Sequence, residues 1–278
     1  MAATYNNLYL DARKRLREAG VEGAQLEARE LVCCAAGKSR EQFYRDMALY
    51  ASDPVEEKLA ELLERRLAGE PVAYLIGEWE FYGLGLDITP DVLAERAILL
   101  ARAAGEGARV LDLCAGSGCV GLAVAANVPG CRVVLADVSE AALRLCKQNV
   151  RRNELNARVT CVQADALEPP DAALWDFDVI ACNPPYIPTG DIAELDVSVR
   201  DYEPRSALDG GADGLDFYRA IAARWGAALR LGGALLFEVG IGQAGDVGAI
   251  LAQNQFEQIQ TFQDTQGIGR VVEGVLNS

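Results

Sequence analysis

The sequence predicts an α/β fold in which a doubly wound, seven-stranded, mostly parallel sheet follows a small all-helical N-terminal domain. Three observations predict it. Apolar residues recur at helical spacing up to Gly69, short apolar runs alternate with helical stretches beyond Gly107, and a glycine-rich turn joins the first such run to the next helix.

The helical repeat runs Leu8, Ala12, Leu16 and Ala19, then Ala24, Leu31 and Val32, then Leu59, Leu62, Leu63 and Leu67. Gly20, Gly37 and Ser52-Asp53-Pro54 punctuate it, the last as a cap with proline in the first turn. Short antiparallel helices over 1–70 are expected. After Gly69-Glu70-Pro71 the pattern changes. Ala73-Tyr74-Leu75-Ile76 and Glu78-Trp79-Glu80-Phe81-Tyr82 are rich in aromatic and β-branched residues, with Gly77, Gly83 and Gly85 between and after them, so 71–93 reads as a hairpin-like connector. Trp79, Phe81 and Tyr82 are expected to pack its core.

Residues 94–100 look helical again and open a larger domain over 94–278. Its strands are expected at 109–113, 132–136, 159–163, 177–181, 234–239, 259–262 and 270–275, with helical stretches between the earlier ones. Nothing in the chain repeats or is of low complexity.

Composition narrows the function classes. With 278 residues, 51% hydrophobic and 24% charged, the chain has the material for one large domain plus a small one. Its apolar runs, such as Leu122-Ala-Val-Ala-Ala126, fall short of the roughly 20 residues that span a bilayer. No membrane partner is expected. The start, Met1-Ala-Ala-Thr-Tyr, lacks the basic stretch and apolar run of a secretory signal, so a cytoplasmic location is expected. Eight scattered cysteines, no C-x-x-C pair and no histidine predict free thiols and no metal site. Cys114, Cys119 and Cys182 read as small buried hydrophobes. A formal charge of -15 opposes phosphate backbones, so no direct nucleic-acid partner is expected. Arg13-Lys14-Arg15 with Arg17 reads as a solvated helix face.

The first strand of the larger domain ends in Asp112-Leu-Cys114-Ala115-Gly116-Ser117-Gly118-Cys-Val-Gly121. Gly116 and Gly118 permit a tight strand-to-helix turn whose main chain can lie against a ligand at the helix N-terminus. The spacing also satisfies a dinucleotide fingerprint. Asp112 separates the readings: an acid there suits the ammonium of a methionine moiety better than a pyrophosphate. Asp137 closes the second strand, where a carboxylate can accept from both ribose hydroxyls, and Asp165 beside Ala166 can accept from an exocyclic amine. The three strand-end acids Asp112, Asp137 and Asp165 trace a nucleoside, and the place of Asp112 among them points to S-adenosyl-L-methionine.

Asn183-Pro184-Pro185-Tyr186 follows the fourth strand. Two successive prolines fix their φ angles and carry no N–H, which leaves preceding carbonyls free to meet a substrate. An NH2 group on a planar carbonyl or ring has a delocalised lone pair and is a poor nucleophile. Held by the Asn183 side-chain oxygen and the Pro184 carbonyl, it would be oriented toward the sulfonium methyl, with Tyr186 packed against the planar group. No strong base is required beforehand, because the nitrogen becomes acidic once methylated.

The chain resembles the release-factor glutamine methyltransferases of the HemK/PrmC type. The likeness is carried by Gly69-Glu-Pro71-Val-Ala-Tyr74-Leu-Ile-Gly77, Phe81-Tyr-Gly83, the 112–118 turn, Asn183-Pro184-Pro185-Tyr186, Tyr202-Glu-Pro204-Arg-Ser-Ala-Leu208-Asp-Gly210-Gly, Asp213-Gly-Leu-Asp-Phe-Tyr218, Glu238-Val-Gly240, Asp264 and Arg270-Val. The resemblance implies a Rossmann-like class I methyltransferase domain. It implies that Cys114 to Gly118, Asp137 and Ala166 line S-adenosyl-L-methionine, and that 183–186 bind a glutamine amide. The implied partner is a peptide chain release factor, met at its Gly-Gly-Gln glutamine, with the N-terminal helices recognising it.

Asn-Pro-Pro-Tyr is shared with adenine-N6 and ribosomal-protein glutamine methyltransferases, so the turn specifies chemistry and the flanking segments specify substrate. In one place the chain departs from the family. Members usually continue after the equivalent of Val92-Leu93 with Ile-Pro-Arg-Pro-(Glu/Asp)-Thr-Glu, whereas here Leu93 runs straight into Ala94-Glu-Arg. That departure keeps open a third reading, a non-catalytic module that binds cofactor and partner.

Overall fold

The computed structural model describes residues 3–21, 23–76, 80, 81, 84, 85 and 91–277. Two compact units divide the chain: Met1–Trp79 with Leu195–Glu203, and Glu80–Glu194 with Pro204–Ser278.

The first unit holds α1 (Tyr5–Glu18), α2 (Ala24–Ala36), α3 (Arg40–Asp46), α4 (Asp53–Leu67) and α5 (Val72–Ile76). Thr4 accepts from Asn7 N–H to start α1, Ser39 and Gln42 form a reciprocal capping box on α3, and proline stands in the first turn of α4. Leu16, Leu31, Val32, Phe43, Leu59, Leu62 and Leu63 build the core. Leu67 lies at its margin, 37% exposed. A paired Glu27–Arg66 bridge, at 2.6 and 3.2 Å, ties α2 to α4.

The Leu195–Glu203 segment packs in this same unit. Tyr74 donates to Glu203 at 2.9 Å, and a Cβ on Gly69 would come within 2.8 Å of Val197.

Residues 73–76 read as an extended arm in the sequence, yet Val72–Ile76 is helical. Pro71 presets the first turn, and Val72 and Leu75 bury themselves three residues apart in the helical core. The hairpin is shorter than expected, β1 (Glu80–Phe81) against β2 (Leu84–Gly85). Trp79 and Tyr82 lie outside the described residues.

In the second unit α6 (Asp91–Ala104) precedes β3 (Arg109–Leu113), α7 (Cys119–Asn127), β4 (Arg132–Asp137), α8 (Glu140–Arg152), β5 (Val159–Gln163) and β6 (Phe177–Cys182). Then come α9 (Asp216–Trp225), β7 (Leu229–Glu238), α10 (Ala244–Gln253), β8 (Phe256–Gln263) and β9 (Gly269–Leu276). The sheet order is β5-β4-β3-β6-β7-β9-β8, with β9 antiparallel to both its neighbours and the other pairs parallel. The expected seven-stranded, doubly wound α/β sheet is present.

Side chains alternate between two layers. Val110, Val133, Val179 and Leu236 face one core with Leu122 and Ala97, while Leu111, Leu113, Ile180, Leu235 and Phe237 face the other with Tyr218, Trp225 and Val247. Strand order reverses at β3, so the loops after β3 and β6 open side by side, the position where such sheets hold ligands. Arg96 fastens α6 to the far edge: it contacts Glu273 at 2.8 and 3.1 Å, and its guanidinium lies 4.0 Å from the Phe262 ring centre.

Among the described residues no helix is long and apolar enough to cross a membrane. All eight cysteines are free.

Candidate active site

Past β3 the chain turns sharply. Cys114, Gly116 and Gly118 take φ of 59°, 55° and 82°. A cysteine in the left-handed region is uncommon, and strain of this kind gathers at functional turns. Ala115 N–H donates to Ala136 at 3.0 Å, while Gly116 and Ser117 carbonyls accept from Cys146 and Asn149 at 3.2 and 2.9 Å. The turn is therefore held from α8 and β4. Open space lies beyond Gly116, whereas a Cβ on Gly118 would approach Leu135 to 2.8 Å. One side is exposed for a ligand and the other is packed.

The three strand-end acids occupy different places. Asp137 bridges the turn to α8: its Oδ2 accepts from Gly116 N–H and its Oδ1 from Ser139 N–H, both at 2.8 Å. Asp165 is exposed and accepts from Leu167 N–H at 2.9 Å; with Val138, Gln163 and Pro169 it lines a cavity of ≈ 370 Å³. Ala166 is buried beside it, and its carbonyl accepts from the Trp225 indole at 3.0 Å.

Asp112 turns inward. It is 2% exposed, and its Oδ2 accepts from Gly121 N–H at 2.8 Å. It braces the start of α7 from beneath instead of standing on the turn's open face. Burial pushes its carboxyl up to about 8, the Gly121 N–H opposes that shift, and Asp137 adds to it.

The 183–186 turn begins beside the glycine turn, because Leu113 pairs with Cys182 across β3 and β6. Pro184 and Pro185 are buried, and Asn183 and Tyr186 are half-buried. A second segment straps the turn in place. Ile187 N–H donates to Leu208 at 3.0 Å, Gly210 N–H to Ile187 at 2.9 Å, and Thr189 N–H to Gly211 at 2.9 Å. At Gly210 the two backbones nearly touch: a Cβ there would lie 2.8 Å from Tyr186 Cα and 2.9 Å from the Pro185 oxygen. Gln243 locks the far end, donating to the Tyr186 carbonyl and accepting from Gly240 N–H, each at 2.9 Å.

Glu238 ends β7 immediately after Phe237, which pairs with Cys182, the residue before Asn183. Its Oε2 is shut off from solvent without a hydrogen-bond partner among the described residues. Burial raises this carboxyl to about 7 against the opposing charge of Arg270. Tyr186 is raised by burial and then by Glu238. Burial also holds the Cys119 and Cys182 thiols up, Cys119 to about 12, so both stay protonated at neutral pH.

Of the expected residues, 114–118, Asp137 and 183–186 share the edge of the sheet at β3, β4 and β6, with Asp165 and Ala166 following β5. Glu238 and Gln243 were not singled out from residue chemistry. Glu238 carries the signal that selected Asp112 and Asp137, an acid closing a buried apolar run. Gln243 has no comparable local signal.

Residues 7–77 match the family described as PrmC N-terminal domain, and residues 84–198 match the methyltransferase small domain. The chain is 41% identical over 270 residues to a release factor glutamine methyltransferase of Geobacter sulfurreducens, covering 94% of this chain and 93% of that one. It is 33% identical over 285 residues to one of Caulobacter vibrioides, covering 100% and 98%. Among solved structures, a methyltransferase from Pyrococcus furiosus shares 16% identity at a TM-score of 0.51, covering 79% of this chain and 100% of that chain, a likeness of fold alone.

Proposed function

The chain belongs to the release factor glutamine methyltransferases, and from that premise we propose that it methylates the side-chain amide nitrogen (N5) of the Gly-Gly-Gln glutamine of peptide chain release factors, with S-adenosyl-L-methionine as donor. The observation that carries this reading is the Leu113–Cys182 pairing, which sets the 183–186 turn next to the glycine turn.

The residues fit the donor. Gly116 leaves open space where a side chain would stand, Asp137 presents a carboxylate beside it, and Asp165 lines a cavity next to the same edge. When bound, the donor supplies an electrophilic methyl group. The Asn183 side-chain oxygen and the Pro184 carbonyl accept the two N–H groups of the glutamine amide and fix the direction of its lone pair. Tyr186 covers the planar amide and excludes water. The strap at 208–211 and the Gln243 amide hold that turn rigid, so catalysis rests on positioning.

At the departure after Leu93, both Leu93 and Ala94 lie buried inside α6. The helix runs continuously through the position of that departure.

The test is methyl incorporation from labelled S-adenosyl-L-methionine into a release factor bearing Gly-Gly-Gln, with the glutamine replaced as control. Labelling lost with that glutamine supports the reading. Labelled RNA or DNA alongside unlabelled release factor replaces it with adenine methylation, and binding of both ligands without turnover replaces it with a non-catalytic module.

A further inference from the structure

Glu238 is a half-buried carboxylate beside the 183–186 turn whose Oε2 is closed to solvent and lacks a partner among the described residues. Buried polar atoms in folded proteins find hydrogen bonds, and one without a partner needs a physical account. The residue closes β7 one position after Phe237, and Phe237 pairs with Cys182, the residue before Asn183. Tyr186 faces it from the 183–186 turn, Tyr218 from α9, Arg270 from β9 and Cys119 from the start of α7. Tyr218 donates at 2.9 Å to the Glu238 main-chain carbonyl and not to its carboxylate. Arg270 bonds Asp264 at 3.0 Å instead.

Resting on the glutamine reading above, we infer that the Glu238 carboxylate takes up the proton that the amide nitrogen sheds on methylation. The nitrogen lone pair forms the new N–C bond as the carbon–sulfur bond breaks, and that bond's electron pair stays on sulfur. The nitrogen is then cationic and still holds both protons. One passes to the Glu238 carboxylate, its N–H electron pair returns to nitrogen, and the neutral N-methyl amide leaves. The Glu238 carboxyl afterwards gives the proton to water. Burial suits this task, because a carboxyl raised to about 7 is partly ionised at neutral pH and binds a proton firmly enough to hold it. The Pro184 carbonyl and the Asn183 side-chain amide oxygen, which hold the N–H groups, are too weakly basic to keep that proton.

The experiment uses the full chain, a release factor bearing Gly-Gly-Gln, and Glu238→Gln, which preserves shape and removes the acceptor. Single-turnover methyl transfer by the wild type is expected to rise with pH through about 7 and then level off. Glu238→Gln is expected to lower the rate about 100-fold and flatten that profile. Its affinity for S-adenosyl-L-methionine, measured by calorimetry, should stay within about threefold of wild type. The Glu238 carboxyl carbon, followed by NMR in the free protein, should titrate at about 7, a readout that needs no turnover.

A Glu238→Gln protein with wild-type rate and profile overturns the role, as does a carboxyl titrating at the ordinary 4.5. Should the glutamine variant not fold, the wild-type profile and the carboxyl titration decide between the same two outcomes. Failure of the wild type to methylate the release factor overturns the glutamine reading itself, and this role with it.

Discussion

The Nε2 of Gln243 donates to the carbonyl of Tyr186 at 2.9 Å while the Oε1 of the same amide accepts from Gly240 N–H at 2.9 Å. One side chain thus joins the 183–186 turn to the loop after β7. Gln243→Leu leaves both backbone groups without partners, and it is expected to cost about 1–3 kcal/mol of stability. Because the turn loosens, kcat should fall more than the affinity for S-adenosyl-L-methionine. Urea denaturation with steady-state kinetics checks both, and unchanged kcat in a folded variant would show that the turn does not need this clamp.

Asn183→Ala removes one of the two acceptors assigned to the amide. Turnover should fall by about 100-fold or more, the scale seen when one preorganised hydrogen-bonding group is lost from an active site. Calorimetric affinity for the donor should change little. Equal turnover in this variant would sink the role given to Asn183.

Gly210 and Gly190 form a matched pair. An alanine methyl at Gly210 meets backbone at 2.8 and 2.9 Å, whereas nothing lies within 4 Å at Gly190. Gly210→Ala is expected to cost about 1–3 kcal/mol through overpacking, and Gly190→Ala to stay within about 0.5 kcal/mol. Denaturant midpoints of the two variants, compared side by side, decide the point.

Asp112 links the glycine turn to pH. Its folded carboxyl sits at about 8 against an ordinary 3.8, so its stabilising, protonated form is fully present below 3.8 and is lost as pH rises through about 8. Asp112→Asn keeps an acceptor for Gly121 N–H and cannot ionise. Relative to wild type, its melting temperature should therefore climb between about pH 4 and about pH 9, by ~2–4 °C for each kcal/mol in a chain of this size. A temperature difference that stays flat with pH would refute the burial account.

Arg96→Met tests the tether of α6. It strands Glu273, 3% exposed, without its cation and takes the guanidinium from the Phe262 ring. A loss of about 3–5 kcal/mol is expected. The double variant Arg96→Met with Glu273→Gln should recover part of it in the same denaturation assay.

The sheet was legible because buried parallel strands leave continuous apolar runs. Val110-Leu111, Val133-Val134-Leu135 and Val179-Ile180-Ala181 show it, and their ends coincide with the acids or turns that follow. The start of β7 was not legible. The strand expected from Ala234 in fact begins at Leu229, which pairs with Phe177 across a register shift before Val179 that Gly232 and Gly233 accommodate.

At the site, residue chemistry identified strand-end acids and a proline turn, which are local signals. It could not tell which side of the glycine turn Asp112 occupies, because that depends on how closely α7 approaches β3. Nor could it reveal Gly210 or Gln243. Their significance lies in partners 24 and 57 residues away, Tyr186 in both cases, and nothing adjacent in the chain marks those contacts.

The segment Leu195–Glu203 completes the helical unit even though most of that unit lies before Trp79. During synthesis, at about 5–20 residues per second, the N-terminal helices therefore wait for a piece made more than a hundred residues later. Strands β3 to β6 leave the ribosome first. On stalled nascent chains, full protease protection of the helical unit should arise only once Glu203 has cleared the exit tunnel, which makes the first-made part of this protein one of the later parts to be finished.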